Sequence, residues 1–185
     1  SDLVFSYEKQ ADNPYLPNKK WAYKKLQRES NQFHFMAEND FATNGYKGMA
    51  MLQNTRWSIG TEWRLGYSKM HDYEVETHVG RHIGKNQFFM PFVGFDSRYR
   101  KQNGEIEKNI FGQTNTKDKR SVLSLGAEYT LPWLVKFQGE VFSDANVRFQ
   151  LMRHDIPITP RLRFAFMINT DKEYMSGFKY IVTRN

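Results

Sequence analysis

The sequence contains no cysteine. That excludes disulfides and thiolate metal centres, though it leaves the compartment open. No apolar run approaches the roughly 18 residues that a membrane-crossing helix needs. Beyond residue 30 there is no helical pattern of ordinary length and no short-period repeat. The motifs of several enzyme classes are missing too: there is no nucleophile elbow, phosphate loop or H-E-x-x-H pattern, so no catalytic residue is assigned. An initiator Met and a signal peptide are also lacking, and the start at Ser1 leads us to expect a processed chain or a piece of a longer one.

What is present is aromatic and basic. The 185 residues are enough for one domain with an interior, and 15 Phe, 10 Tyr and 4 Trp argue against disorder despite a mean hydropathy of -0.73. The net charge of +7 raises the question of nucleic acid. Yet Lys and Arg are spread along the chain and often share a face with Glu or Asp. The one dense run, Lys117 to Arg120 with Asp118 inside it, lies in a polar stretch that reads as a solvated loop. No nucleic-acid partner is expected.

Residues 1–10 hold a short strand-like piece from Leu3 to Tyr7. Pro14 and Pro17 then fix an extended linker within 11–31, which ends in a weak helical pattern over 21–30. From residue 32 the chain alternates apolar and polar side chains in ten segments: 32–42, 46–54, 57–68, 73–82, 87–100, 120–131, 134–143, 146–155, 161–170 and 174–183. A period of two sends successive side chains to opposite faces of a strand. Most segments run to about 9–12 residues, the length of a tilted membrane-spanning strand, whereas strands of soluble domains are nearer five or six.

Sorting the faces sharpens the choice. In 57–68, Trp57, Ile59, Trp63 and Leu65 oppose Ser58, Glu62 and Arg64. In 73–82, Tyr73, Val75, Thr77 and Val79 oppose Glu74, Glu76, His78 and His82. A soluble barrel would put the apolar face inward and the charges in water, and a transmembrane barrel reverses this. Strand length, aromatics near strand ends (Trp57, Tyr73, Tyr99, Trp133, Tyr174) and charge-balanced polar faces favour the second. The sequence therefore predicts an all-β, antiparallel, up-and-down transmembrane β-barrel over 32–185. The one long polar interruption, 101–119, follows the fifth segment. With a periplasmic N-terminus it falls among the outer loops, where long connections belong.

The polar faces carry His34, Met36, Glu38 and Asp40 on the first segment, Met49 and Met51 on the second, and Met152, His154, Met167 and Met175 on later ones. Thioether suits the cuprous ion, and imidazole and carboxylate accept the cupric one. Same-face neighbours on a strand stand about 7 Å apart, so each strand offers a row of stations for a weakly held ion. The candidate copper ligands are His34, Met36, His78, His82, Met152 and His154. The competing reading makes Met a gap-filler and His a hydrogen-bonding partner of carboxylates. Glu74 and Glu76 read as charge partners for Arg64 or Arg98 rather than as a hydrolytic pair.

Two stretches carry a family resemblance. One runs WSIGTEWRLGYSKMHDYEVETHVGRHIGKNQFFMPFVGFDSRYR. The other begins NIFGQTNTKDKR and ends NTDKEYMSGFKYIVTRN. Together they resemble the copper-resistance outer-membrane protein B family, and more closely the C-terminal region of multicopper oxidase-like copper-resistance proteins of Bacteroidetes-type bacteria. The resemblance implies that 1–10 (LVFSYEKQ within it) is the tail of a preceding cupredoxin-type domain, 11–31 a linker, and 32–185 an outer-membrane barrel. It also implies a Gram-negative outer membrane with lipid around the barrel, and copper ions bound or passed at the cell surface. The H-C-H copper motif of the oxidase and the Met- and His-rich leader are absent, so oxidase catalysis is carried over to no residue. Without a C-terminal aromatic strand, the barrel is expected to be incomplete, leaving 32–42 and 174–183 unpaired with each other. Two rivals stand beside this reading: a soluble basic β-barrel binding nucleic acid or an apolar ligand, and an outer-membrane lipid hydrolase.

Overall fold

The alternating segments form the strands they predict. A computed structural model describes residues 32–40, 45–54, 56–65, 73–84, 88–99, 108–113, 119–131 and 134–183. The expectations for 1–10 and 11–31, including the helical stretch, fall outside these residues. The strands are β1 (Gln32–Asp40), β2 (Tyr46–Gln53), β3 (Trp57–Leu65), β4 (Tyr73–Arg81) and β5 (Phe89–Tyr99). They continue as β6 (Lys119–Thr130), β7 (Lys136–Phe142), β8 (Val147–Pro157), β9 (Leu162–Asn169) and β10 (Tyr174–Thr183). Each pairs antiparallel with its sequence neighbour, and the described residues contain no α-helix.

The sheet closes. β1 pairs with β10 from Phe33↔Thr183 to Asp40↔Met175, so the expected incomplete barrel with two free edges is corrected to a closed barrel of ten strands. Closure satisfies both edge ladders, which strand patterning in one segment cannot report. At this seam Gly177 lies so close to Ala37 that an added Cβ would collide with the Ala37 carbonyl, so only glycine fits.

Faces sort as alternation requires, and inside out relative to a water-soluble protein. Ile59, Val93, Leu123, Leu125, Val141 and Phe178 are outward and exposed, Leu123 to 63%. Glu62, Arg64, Glu74, Glu76, Glu140 and Arg148 are buried within. An apolar belt outside a lumen of acidic and basic side chains is the organisation of a transmembrane β-barrel. Polar side chains on the outer face satisfy each other: the Thr61 and Thr77 hydroxyls share a hydrogen bond of 3.2 Å across β3 and β4. At the rims Tyr73 stacks on Tyr99 with centroids 5.3 Å apart, and the Arg81 guanidinium sits 4.6 Å over Trp57.

One strand departs from strict alternation. The β8–β9 register shifts between Arg153 and Ile156, and Met152, Arg153, His154 and Asp155 are all buried. Alternation alone would have sent Asp155 to the outer face. The irregularity re-aims it inward to accept a 2.7 Å hydrogen bond from Lys179 Nζ.

Candidate functional site

The lumen has two storeys. In the upper storey, toward Asp40, Leu65 and Tyr174, three arginines organise the carboxylates. Arg148 on β8 reaches across to β4, where its Nη2 donates to Glu74 at 2.9 Å and its Nη1 to Glu76 at 3.3 Å. Its Nε donates to Asp171 at 2.7 Å, and Glu140 lies 3.9 Å away. Arg64 Nε donates to both Glu173 oxygens at 3.0 Å, while its Nη1 is 3.4 Å from Glu62 and 3.9 Å from Glu74. Arg98 bridges Asp96 at 2.7 Å and Asp144 at 3.2 Å. Charged side chains thus fill this storey and pair across it. In the turn after β9, burial pushes the Asp171 carboxyl above the usual aspartate range, with the Arg148 guanidinium pulling the other way.

Glu74, Glu76 and Asp96 bring carboxylate oxygens within 4.8 Å of one another, among the described residues the one such group of three His, Cys or acidic donors. Arg148 and Arg98 already bond all three acids, so the cluster is part of the ion network.

The second, lower storey lies toward the first residue of β1 and the last of β10. Here a cavity of about 50 Å³ takes its walls from Met51, His78, His82, Met90, Met152 and His154, among others. That is room for an ion with a few waters, since one water needs about 10–15 Å³ on the same measure. Gly60 shapes one wall: a Cβ there would stand 3.2 Å from Met51 Cε and 3.3 Å from His78 Nε2. The glycine therefore lets the thioether and the imidazole flank one notch from β2 and β4.

All six predicted ligands face inward, and the cavity gathers four of them: His78, His82, Met152 and His154. His34 and Met36 sit apart from it. His34 Nδ1 donates to Gln32 Oε1 at 2.9 Å, and Met36 packs with Met49 and Ala165. His82 Nε2 shares a 3.2 Å hydrogen bond with Ser58 Oγ. By contrast, His78 Nδ1 and His154 Nε2 are buried without a hydrogen-bond partner. A buried unpaired ring nitrogen is costly unless it has a use. Sequence reasoning missed Met90. In FFMPFVG, both Met90 and Phe92 turn inward, and with apolar residues on both faces no alternation marks the lumen side.

A closed barrel with an apolar exterior, an upper lumen filled by paired acidic and basic side chains and a thioether- and imidazole-lined lower cavity defines the class: a transmembrane-type β-barrel with soft donors inside. No family model matches the chain, and no curated protein matches it. Among solved structures, the chain is similar to one titled "De novo design of transmembrane beta-barrels". The match is 11% identical, spans 84% of this chain and 99% of that one, and has a TM-score of 0.30, too low to support any argument.

Proposed function

We propose that this protein is a copper-handling outer-membrane barrel that serves copper tolerance by holding copper ions, weakly and exchangeably, in its lumen. One observation carries the reading. Of the 8 methionines in the chain, the seven described ones all turn into the lumen, and so do all four described histidines. Methionine is apolar, and a barrel surrounded by lipid has an outer face that accepts it freely, as it accepts Leu, Val and Phe here. Its confinement to the inside therefore needs a reason beyond hydrophobicity, and thioether affinity for soft metal supplies one. Binding is favoured over open passage, because the arginine network fills the upper storey.

The test is a copper titration of the folded barrel in detergent, wild type against His78→Ala/His154→Ala. Loss of binding in the variant supports the reading, and unchanged binding makes these histidines plain interior groups.

The resemblance to multicopper oxidase-like copper-resistance proteins implies that 1–10 is the tail of a preceding cupredoxin-type domain and that the barrel belongs to a Gram-negative outer membrane. Loop parity supports a periplasmic start, since Tyr99 and Lys119, the strand ends that bound the long connection, lie at the same end as the 143–146 and 170–173 turns, opposite Gln32. A tag inserted near residue 104 and labelled on intact cells checks this orientation.

The lipid-hydrolase alternative has the Ser58–His82 pair in its favour. The pair sits inside the barrel, in a cavity too small for an acyl chain. A serine-directed phosphonate probe that leaves Ser58 unlabelled removes it. The soluble-module alternative must place the exposed aliphatic belt in water, and nothing in the structure supports that.

A further inference from the structure

Resting on the copper reading above, we infer that the lower cavity selects a singly charged soft cation, cuprous copper or silver, over cupric copper and zinc. The argument turns on which donors remain for an ion. The cavity walls hold three carboxylates, and each already faces a cationic side chain. Asp155 is 2.7 Å from Lys179, Glu128 is 4.0 Å from Lys136, and Glu62 lies 3.4 Å from Arg64 and 3.9 Å from Lys47. What faces the space without a countercharge is neutral: the thioethers of Met51, Met90 and Met152 and the imidazoles of His78 and His154. The second observation is that two of the imidazoles lining this cavity, each more than nine-tenths buried, carry a ring nitrogen without a hydrogen-bond partner, His78 Nδ1 and His154 Nε2.

Charge then decides between oxidation states. The cost of taking an ion out of water rises with the square of its charge, so a dication costs about four times as much as a monocation of similar size. Neutral donors return no net Coulomb attraction, and with Lys179 on Asp155 and Lys136 on Glu128 the wall offers no surplus negative charge to offset a second positive one. A soft monovalent ion loses little hydration and gains polarizable sulfur. A cupric or zinc ion would have to displace a lysine from its carboxylate to find an anionic ligand. Gly60 belongs to the same device, since it lets the Met51 methyl and the His78 ring close on one point.

The test uses the full chain folded in detergent micelles and four probes: Ag⁺, Cu⁺ held anaerobically against a chromogenic competitor, Cu²⁺ and Zn²⁺. Ag⁺ and Cu⁺ are expected to bind at least about tenfold more tightly than either dication. Met51→Leu, Met90→Leu and Met152→Leu combined should weaken Ag⁺ by about tenfold or more while keeping side-chain volume. Met51→Leu alone, with folding followed by circular dichroism, gives the same comparison if the triple variant folds poorly. Cu²⁺ or Zn²⁺ bound as tightly as Ag⁺ overturns the charge argument while leaving copper handling intact. Ag⁺ affinity unchanged in a folded Met→Leu variant places the ion elsewhere and also overturns it. Binding of none of the four removes the copper reading itself.

Discussion

Replacing Leu125 with arginine separates a lipid-facing belt from a water-facing one by the magnitude of the loss in stability. Leu125 is the seventh of the twelve residues of β6 and is 59% exposed. Its register partners on either side are Val93, 57% exposed, and Val141, 51% exposed, so the site is the middle of an apolar band three strands wide. Arginine at the bilayer midplane of a barrel costs about 2–4 kcal/mol, which corresponds to about a 30- to 700-fold shift in the folding equilibrium. The control is Ser121→Arg, four residues nearer the rim on the same face, where the cost falls to about 0–1 kcal/mol. Reversible urea unfolding from lipid vesicles, followed by tryptophan fluorescence, measures both variants. Were the belt in water, each arginine would change stability by no more than about 0.5 kcal/mol. A Leu125→Arg variant as stable as the Ser121→Arg control refutes the assignment of this face to lipid.

The network and the seam give further tests. Arg148→Met leaves Glu74, Glu76 and Asp171 buried without their shared guanidinium, and should cost about 3–5 kcal/mol in chemical denaturation. Adding Glu74→Gln and Asp171→Asn should restore part of that loss; no recovery means that Arg148 acts by packing alone. Ala37→Cys with Phe178→Cys, introduced into a chain with no native cysteine, should cross-link under mild oxidation, because the two are register partners across the β1–β10 seam. Two uncross-linked thiols would mean an open barrel. Gly177→Val at the same seam should lower stability by about 1–3 kcal/mol or more through collision with the Ala37 backbone.

The ten strands and their two faces were legible because alternation is a local signal, repeated here over lengths that soluble strands rarely reach. Trp57 to Leu65 and Tyr73 to Arg81 each declare their faces unaided. Closure was not legible: whether β1 meets β10 depends on strand number, tilt and stagger, none of which any one segment encodes. The central role of Arg148 was hidden for a related reason. Its partners Glu74 and Glu76 lie more than seventy residues away and across the lumen, beyond any neighbour-strand argument. In β8 the register shift after Arg153 buries Asp155 against the parity of its position. Of the cavity, His78, His82, Met152 and His154 could be read from their faces, but Met90 could not, and the separation of His34 and Met36 from that group needed three-dimensional positions.

The seam joining residue 33 to residue 183 also constrains how the molecule comes into being. Its hydrogen bonds link the two strands farthest apart in the chain, so the barrel is closed only when all ten strands are in place. A partly assembled sheet would meet hydrocarbon with two raw edges, each carrying a row of unsatisfied amides at several kcal/mol apiece. No stable intermediate with five or eight strands in the bilayer is therefore available, and crossing the membrane has to be concerted. The charged interior adds to that demand. Arg148, Arg64 and their carboxylates can be dehydrated only when strands from opposite walls arrive together, so translocation, closure and ion pairing become one cooperative event.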